Sequence, residues 1–301
     1  MVDRIASFSQ TSRLVSHNLR LEAEYAQGQT QLASGLKSSS LEGIASDTRQ
    51  IMSLESEYQR ISIHSENAQM ALNRSEAMYD AMSSMLSEAQ NFVSDLNAAL
   101  SGSVSDTEIA QQAQTSRDSI VSSLNREFQG RYLFSGSATN VAPVDINAVG
   151  YGGAVTPSVA DVTYYQGNDF IHSVEASEGF TVDYGVTADN AVFEELLRVF
   201  DLVMTTPGDQ ATQEEAHALL LSAIDDLAVL QAQTSQDSSA MNRVIDEHVE
   251  QLNLIDNLIT DLTAVDLAAV TVKIAELDAQ LQASYSVTSD LLRLNLTDFL
   301  R

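Results

Sequence analysis

The chain has no cysteine among its 301 residues. Disulfides, thiolate nucleophiles and cysteine-based metal sites are therefore excluded. Tryptophan is absent, aromatics make up 6% and there are only three prolines. The apolar content, 44%, is mostly Ala, Leu, Val and Ile, which suits helices better than a broad sheet sandwich. No apolar run reaches the ~18–20 residues that a membrane-crossing helix needs. The opening stretch, Met1 to Gln10, lacks the continuous apolar core of a secretory signal. The chain is thus expected either to stay in the cytoplasm or to be exported without a cleaved signal.

Basic residues are also scarce. Fifteen stand against 42 acidic ones, a net charge of −27. Phosphate binding needs clustered Lys and Arg, so nucleic acid and anionic membrane surfaces are poor partners. The acid is uneven. Residues 1–135 carry 10 basic and 16 acidic groups, net −6, and residues 136–301 carry 5 and 26, net −21.

What the chain does have is a long apolar repeat. It reads Ile51, Leu54, Tyr58, Ile61, Ser65, Ala68, Leu72, Ser75, Tyr79, Met82, Leu86, Ala89, Val93, Leu96, Leu100. Spacings of 3 and 4 alternate throughout, which keeps one stripe of a helix facing one partner. At ~1.5 Å per residue this predicts a rod roughly 75 Å long, whose partner lies elsewhere in the chain or in another subunit.

A first helix is predicted over about residues 3–34, with Ile5, Phe8, Ser12, Val15 and Leu19 in 3/4 spacing and Leu14 and Leu21 on a neighbouring line. The Gly/Ser-rich segment Ser34–Gly43 breaks it. After the rod, Ser105 and Glu108 have capping-box spacing and open a helix over about residues 106–129. From Gly130 to about Tyr184 the chain turns rich in Gly, Val, Thr and Tyr. There Asp161–Gly167 and Phe180–Gly185 read as short strands.

Helix resumes at the N-cap types Asp189 and Asn190 and stops at Thr206–Gly208. Another helix is predicted from Thr212, with Glu215 at capping-box spacing, interrupted by the polar patch Gln233–Ser239. The last helix carries the seam Val270, Ile274, Leu277, Leu281, weakening through Ser284 and Thr288 to Leu291. The fold class is mainly α: a long antiparallel coiled coil or helical bundle formed by the N- and C-terminal segments, with a small inserted β domain. The expected division is 1–45 with 255–301, 46–135 with 189–254, and 136–188.

No catalytic or metal signature survives inspection. The five histidines, His17, His64, His172, His217 and His248, are dispersed, and none has a partner at zinc-site helical spacing. The acid pairs Glu194–Glu195, Glu214–Glu215 and Asp225–Asp226 read as solvated faces. Gly150–Gly153 lacks the lysine of a phosphate loop and reads as a turn. Met70, Met78, Met82 and Met85 read mainly as core filler. No catalytic residue, metal or cofactor is expected.

Four stretches carry a resemblance. Gln31–Lys37 (Gln-Leu-Ala-Ser-Gly-Leu-Lys) is similar to the loop after the first helix in the flagellin family of bacterial axial proteins. Departing from the family, Ser39–Ala45 lacks its paired aspartates. Gly130–Gly136 (Gly-Arg-Tyr-Leu-Phe-Ser-Gly) and Tyr164–Asn168 resemble segments of the hook-associated branch of that family. The end, Asn295–Leu300, is similar to that branch as well. The resemblance implies a non-enzymatic subunit of the flagellum that polymerises. It would form a homo-oligomeric ring at the hook–filament junction, between the first hook-associated protein and flagellin. It further implies type III export with an export chaperone and an extracellular location.

The terminal segments have thin, interrupted stripes, so ordering on assembly is expected. Ile5, Phe8, Val15, Leu19, Leu281, Leu291, Leu294 and Phe299 are the expected assembly contacts, and Arg131, Tyr132 and Phe134 the expected packing between helix and β domain. The other readings are a short flagellin that forms the filament itself, and a cytoplasmic coiled-coil adaptor or chaperone.

Overall fold

A computed structural model describes residues 2–38 and 47–299, with side chains over 12–38 and 47–290. The described elements are six helices and four short strands. In order they are α1 (Val2–Ser34), α2 (Thr48–Leu100), α3 (Asp106–Leu124), β1 (Glu127–Phe128), β2 (Arg131–Tyr132), β3 (His172–Ser177), β4 (Phe180–Tyr184), α4 (Ala191–Thr205), α5 (Gln210–Thr263) and α6 (Leu267–Phe299). The class is mainly α, with two small antiparallel hairpins, β1–β2 and β3–β4. The chain forms two compact units, residues 1–59 with 252–301, and residues 60–251.

The 60–251 unit is organised by α4. Nearly every side of this helix is buried, from Val192 and Phe193 through Phe200 to Val203. A helix apolar all round needs neighbours all round. α2 supplies Phe92, whose ring meets Phe200 edge-on at 5.0 Å, and the segment just after β2 supplies Phe134 against Phe193 at 5.7 Å. Ile109, Ile120 and Leu124 of α3 and Leu220 and Leu227 of α5 complete the same core. Met78, Met82 and Met85 are buried in it as expected, whereas Met70 is exposed. The β3–β4 hairpin lies on a second cluster, with Ala176 and Val182 against Ala68, Leu72 and Met241.

The repeat in α2 is real but turned. Ala68, Leu72, Ser75, Met82, Ala89 and Leu96 are buried on the predicted line. At alternate positions the buried residue is one earlier: Met78, Met85, Phe92 and Ala99 rather than Tyr79, Leu86, Val93 and Leu100. The reason is the number of partners. Glu88 of α2 accepts a hydrogen bond from Ser116 of α3, Phe92 meets α4, and Ser75 bonds Ser238 of α5. A helix inside a bundle buries a wider arc than a two-stranded seam.

Other boundaries also differ from expectation. α3 stops at Leu124, and residues 127–132 form the β1–β2 hairpin, turning through Gln129 and Gly130 with φ of 52° and 73°. Ser105 does cap α3, accepting the Glu108 N–H. Asp161–Gly167 is no strand. Asp161 instead accepts the Thr163 N–H in a tight turn, and only Tyr165 bridges to Val144. The strand missed is β3, which pairs with β4 from His172↔Tyr184 to Ser177↔Phe180. Asp209, rather than Thr212, caps α5, accepting the Thr212 N–H at 2.9 Å. Glu215 binds Ser158. The patch Gln233–Ser239 stays helical, since it holds no Gly or Pro and Gln231 and Thr234 on either side of its start are buried. The real break comes at Ala264–Asp266, where Asp266 caps α6.

The two motifs that carried the resemblance meet in this unit. Asn168 accepts the Ser137 N–H through its side chain, and its own N–H donates to the Ser135 carbonyl. Gly136 has φ +64°, and an added Cβ would lie 2.3 Å from the Asn168 carbonyl oxygen. Gly130, at φ +73°, has open space around it. Gly136→Ala should therefore cost about 2 kcal/mol or more, from strain plus the clash, and Gly130→Ala only about 1 kcal/mol. Chemical denaturation of both variants beside the parent chain checks the order.

His248 is buried with Nδ1 unpartnered, and its ring lies 6.5 Å from that of His64. Burial, then His64 and Arg60, lower its pKa, while Glu247 opposes them weakly. A histidine whose folded pKa lies below the unfolded value of about 6.5 binds its proton more readily when unfolded. Its contribution is intact above that pH and is lost as pH falls through it. Stability should drop between pH 7.5 and 5.5, and His248→Gln should flatten that slope; melts of both proteins across this range measure the difference.

Candidate functional site

The 1–59 and 252–301 unit has a very different balance. α1 and α6 pair antiparallel, as shown by Gly28 beside Ile274 and Asn18 bonded to Ser284. Tyr285 donates to Glu22 along the same face. The α6 seam is the predicted one: Val270, Leu277 and Leu281 are buried, and Ile274, Ser284 and Thr288 partly so. The α1 seam is the neighbouring line, Leu14, Asn18, Leu21, Tyr25 and Gly28. Gly28 permits a close approach there: an added Cβ would stand 3.0 Å from the Ile274 side chain, which would have to give by a few tenths of an ångström.

Among the described side chains, the clustered core of the pair is Leu21, Leu277 and Leu281, with Tyr25 against it. Burying a leucine gives roughly 1.5–3 kcal/mol, and ordering one residue's backbone costs about 1–2 kcal/mol. Over the described stretches, residues 12–34 of α1 and 267–290 of α6, three such side chains are a thin anchor.

The other α1 line faces solvent. Val15 is 46% and Leu19 60% exposed. Leu267, Val272, Tyr285 and Val287 of α6 are exposed as well. Of the expected assembly residues, Leu281 is instead packed under α1. Ile5, Phe8, Leu291, Leu294 and Phe299 fall on helical backbone but outside the residues whose side chains are described. Of the expected junction residues, Phe134 is fully buried, Tyr132 is half-buried and Arg131 is exposed.

The loop after α1 closes this unit. Lys37 binds three successive carbonyls at the C-terminus of α5. Its N–H donates to Thr263 at 2.8 Å, and its Nζ donates to Leu262 at 2.7 Å and Asp261 at 3.3 Å. Val265 N–H donates back to the Gly35 carbonyl, and Gln31 holds the Lys37 carbonyl. These carbonyls have no partner inside their helix, and a cation there also meets the negative end of the helix dipole. Composition and spacing gave no sign of this role for Lys37; the resemblance marked the loop without explaining it. Among the described residues no group of three or more His, Asp or Glu is placed to hold a metal ion, and no helix is long and apolar enough to cross a membrane.

Residues 5–139 match the family model of the bacterial flagellin N-terminal helical region. That segment runs from α1 through the β1–β2 hairpin to just past Gly136. Over that segment, somewhat under half of its length, the chain is similar to the flagellin family. No curated protein matches it in sequence. Two solved structures share its fold. One is a Vibrio parahaemolyticus protein provisionally assigned as flagellar hook-associated, at 18% identity and TM-score 0.60, covering 74% of this chain and all of that one. The other is Bacillus cereus FlgL, at 14% identity and TM-score 0.56, covering 70% of this chain and 99% of that one.

Within the segment similar to flagellin, Lys37 offers a direct test. Lys37→Met keeps the stem and removes the charge that caps α5. The Val265 and Lys37 amides should exchange with deuterium about 5–10-fold faster, in keeping with ~1 kcal/mol for a charged hydrogen bond in a partly exposed site. Unchanged exchange at both would show that Lys37 does not hold the loop.

Proposed function

We propose that the chain is a non-enzymatic structural subunit of the bacterial flagellum, acting at the hook–filament junction in the manner of hook-associated protein 3. The observation that carries this reading is the outward apolar line, Val15 and Leu19 on α1 with Val272, Tyr285 and Val287 on α6, set on a helix pair whose core among the described side chains is three leucines. Such a pair gains most of its missing burial from neighbouring copies, so ordering and assembly become one event. The similarity of residues 5–139 to the flagellin N-terminal region and the fold shared with hook-associated proteins support the same reading.

In this reading residues 1–45 with 255–301 order on assembly, 46–135 with 189–254 form the stable helical part, and 136–188 the β insertion. Val15 and Leu19 make the assembly contact, and so do Ile5, Phe8, Leu291, Leu294 and Phe299. Leu281 acts from within, holding α6 to α1. The partners are further copies in a ring, the first hook-associated protein, flagellin, and an export chaperone with the flagellar export apparatus. The place of action is outside the cell. A second reading, a short flagellin that forms the filament, is favoured by the fact that the matching family model is that of flagellin itself.

An in-frame deletion separates them. The junction reading expects bare hooks under the electron microscope and abundant monomeric flagellin in the medium. Filaments still present, or lost with no monomeric flagellin released, would exclude it.

A further inference from the structure

Three arginines are largely buried among the described residues, and two of them have a carboxylate. Arg117 pairs with Asp201 at 2.9 Å and Arg198 with Glu194 at 3.2 Å. Arg74, the most buried at 9% exposure, has none. Its Nη2 donates to the carbonyls of Tyr132 and Leu133 at 2.8 and 3.0 Å, and its buried Nε has no partner. Carbonyl dipoles hold the guanidinium in place without neutralising it. A buried charge without a counter-charge is costly, usually by several kcal/mol.

Arg74 lines a cleft of about 680 Å³ in the 60–251 unit. Arg131, at its rim, also has no ion pair among the described residues and is exposed. The walls are mixed: Met70, Phe128 and Tyr184 give apolar surface, Asn67 gives an amide, and Glu175 gives a carboxylate that accepts the Gly179 N–H and forms no ion pair with either arginine among the described residues. Two unneutralised guanidinium groups beside apolar walls suit a carboxylate side chain carried on a peptide segment, because arginine binds carboxylates through a fixed fork of donors.

We propose that this cleft receives an acidic segment from a second copy of the chain, its carboxylate lying between Arg74 and Arg131. Charge complementarity names the occupant. Residues 136–301 offer 26 acidic groups with only 5 basic ones to occupy them. The proposal rests on the reading that copies of this chain assemble side by side.

The test is photo-crosslinking in intact flagella sheared from the producing bacterium. A benzophenone amino acid is encoded at position 67 in place of Asn67, and in a separate strain at position 15 in place of Val15. The expected result from position 67 is a product at twice the 32.6 kDa chain mass, mapping by mass spectrometry to an Asp- or Glu-rich peptide. Adding Arg131→Glu should cut its yield about fivefold or more, and Arg131→Lys should largely keep it. Arg131 is exposed, so neither change disturbs the core, and melting curves confirm that. Arg74 is left intact because it also holds two backbone carbonyls.

A crosslink to a different protein, or a dimer whose yield ignores Arg131→Glu, overturns the proposal. Crosslinking at position 15 but not at 67 overturns it while the assembly reading stands. Silence at both positions removes both.

Discussion

Burying α4 is the constraint from which the rest of the larger unit follows. An apolar helix fifteen residues long cannot be satisfied by one partner, so α2, α3 and α5 must close around it. Two of its buried residues are acids, Glu194 and Asp201. Each is tolerable there only because donors converge on it. Asp201 accepts from Arg117 and from the Tyr151 hydroxyl, and Glu194 accepts from Arg198 and the Asp161 N–H. The same contacts fix the irregular segment before β3, which has little regular hydrogen bonding of its own. Burial pushes the Glu194 pKa up, although the Asp161 N–H and Arg198 pull the other way, so desolvation outweighs its partners.

The α1–α6 pair follows the opposite logic. Its seam carries Asn18 against Ser284 where a stable coiled coil would carry leucine or isoleucine. Polar residues at such positions fix register and cost stability. Here Gly28 beside Ile274 sets the closest approach, and the Asn18–Ser284 bond sets the alignment. The pair is thus specific in register and sparing in burial. A segment of that kind can be held unfolded with little effort and ordered when a further apolar surface arrives.

Much of this was legible in the residues, and the failures have physical reasons. The α6 seam could be read directly because α6 has one main partner. In α1 two apolar lines run side by side, and it is Leu14 and Leu21 that face α6 while Val15 and Leu19 stay exposed. A single sequence shows both lines and does not say which is turned inward. In α2 a strict two-stranded template was imposed on a helix with three neighbours, so Tyr79 was placed inside where Met78 belongs. The supposed strand at Asp161–Gly167 has the right composition, but Asp161 spends its carboxylate on the local N–H of Thr163 and closes a turn. Lys37 and Arg74 escaped notice because their partners are backbone carbonyls, which carry no residue code.

A chain with 27 excess negative charges repels its own copies, and any self-assembly must overcome that locally. At physiological ionic strength such repulsion is screened beyond about 8 Å, so short-range contacts decide. The exposed faces of α1 and α6 answer with apolar surface: Val15, Leu19 and Val272 carry no charge, and their burial is indifferent to the sign of the neighbour. The Arg74–Arg131 cleft answers differently, by concentrating two of only fifteen basic residues where neither forms an ion pair among the described residues, Glu175 in the same lining being turned to the Gly179 N–H. The two answers are complementary. Apolar contact supplies strength without direction, whereas a carboxylate seated between two arginines fixes the rotation of one copy against the next. The scarcity of basic residues sharpens that effect, because an acidic segment meeting this surface finds few competing cations.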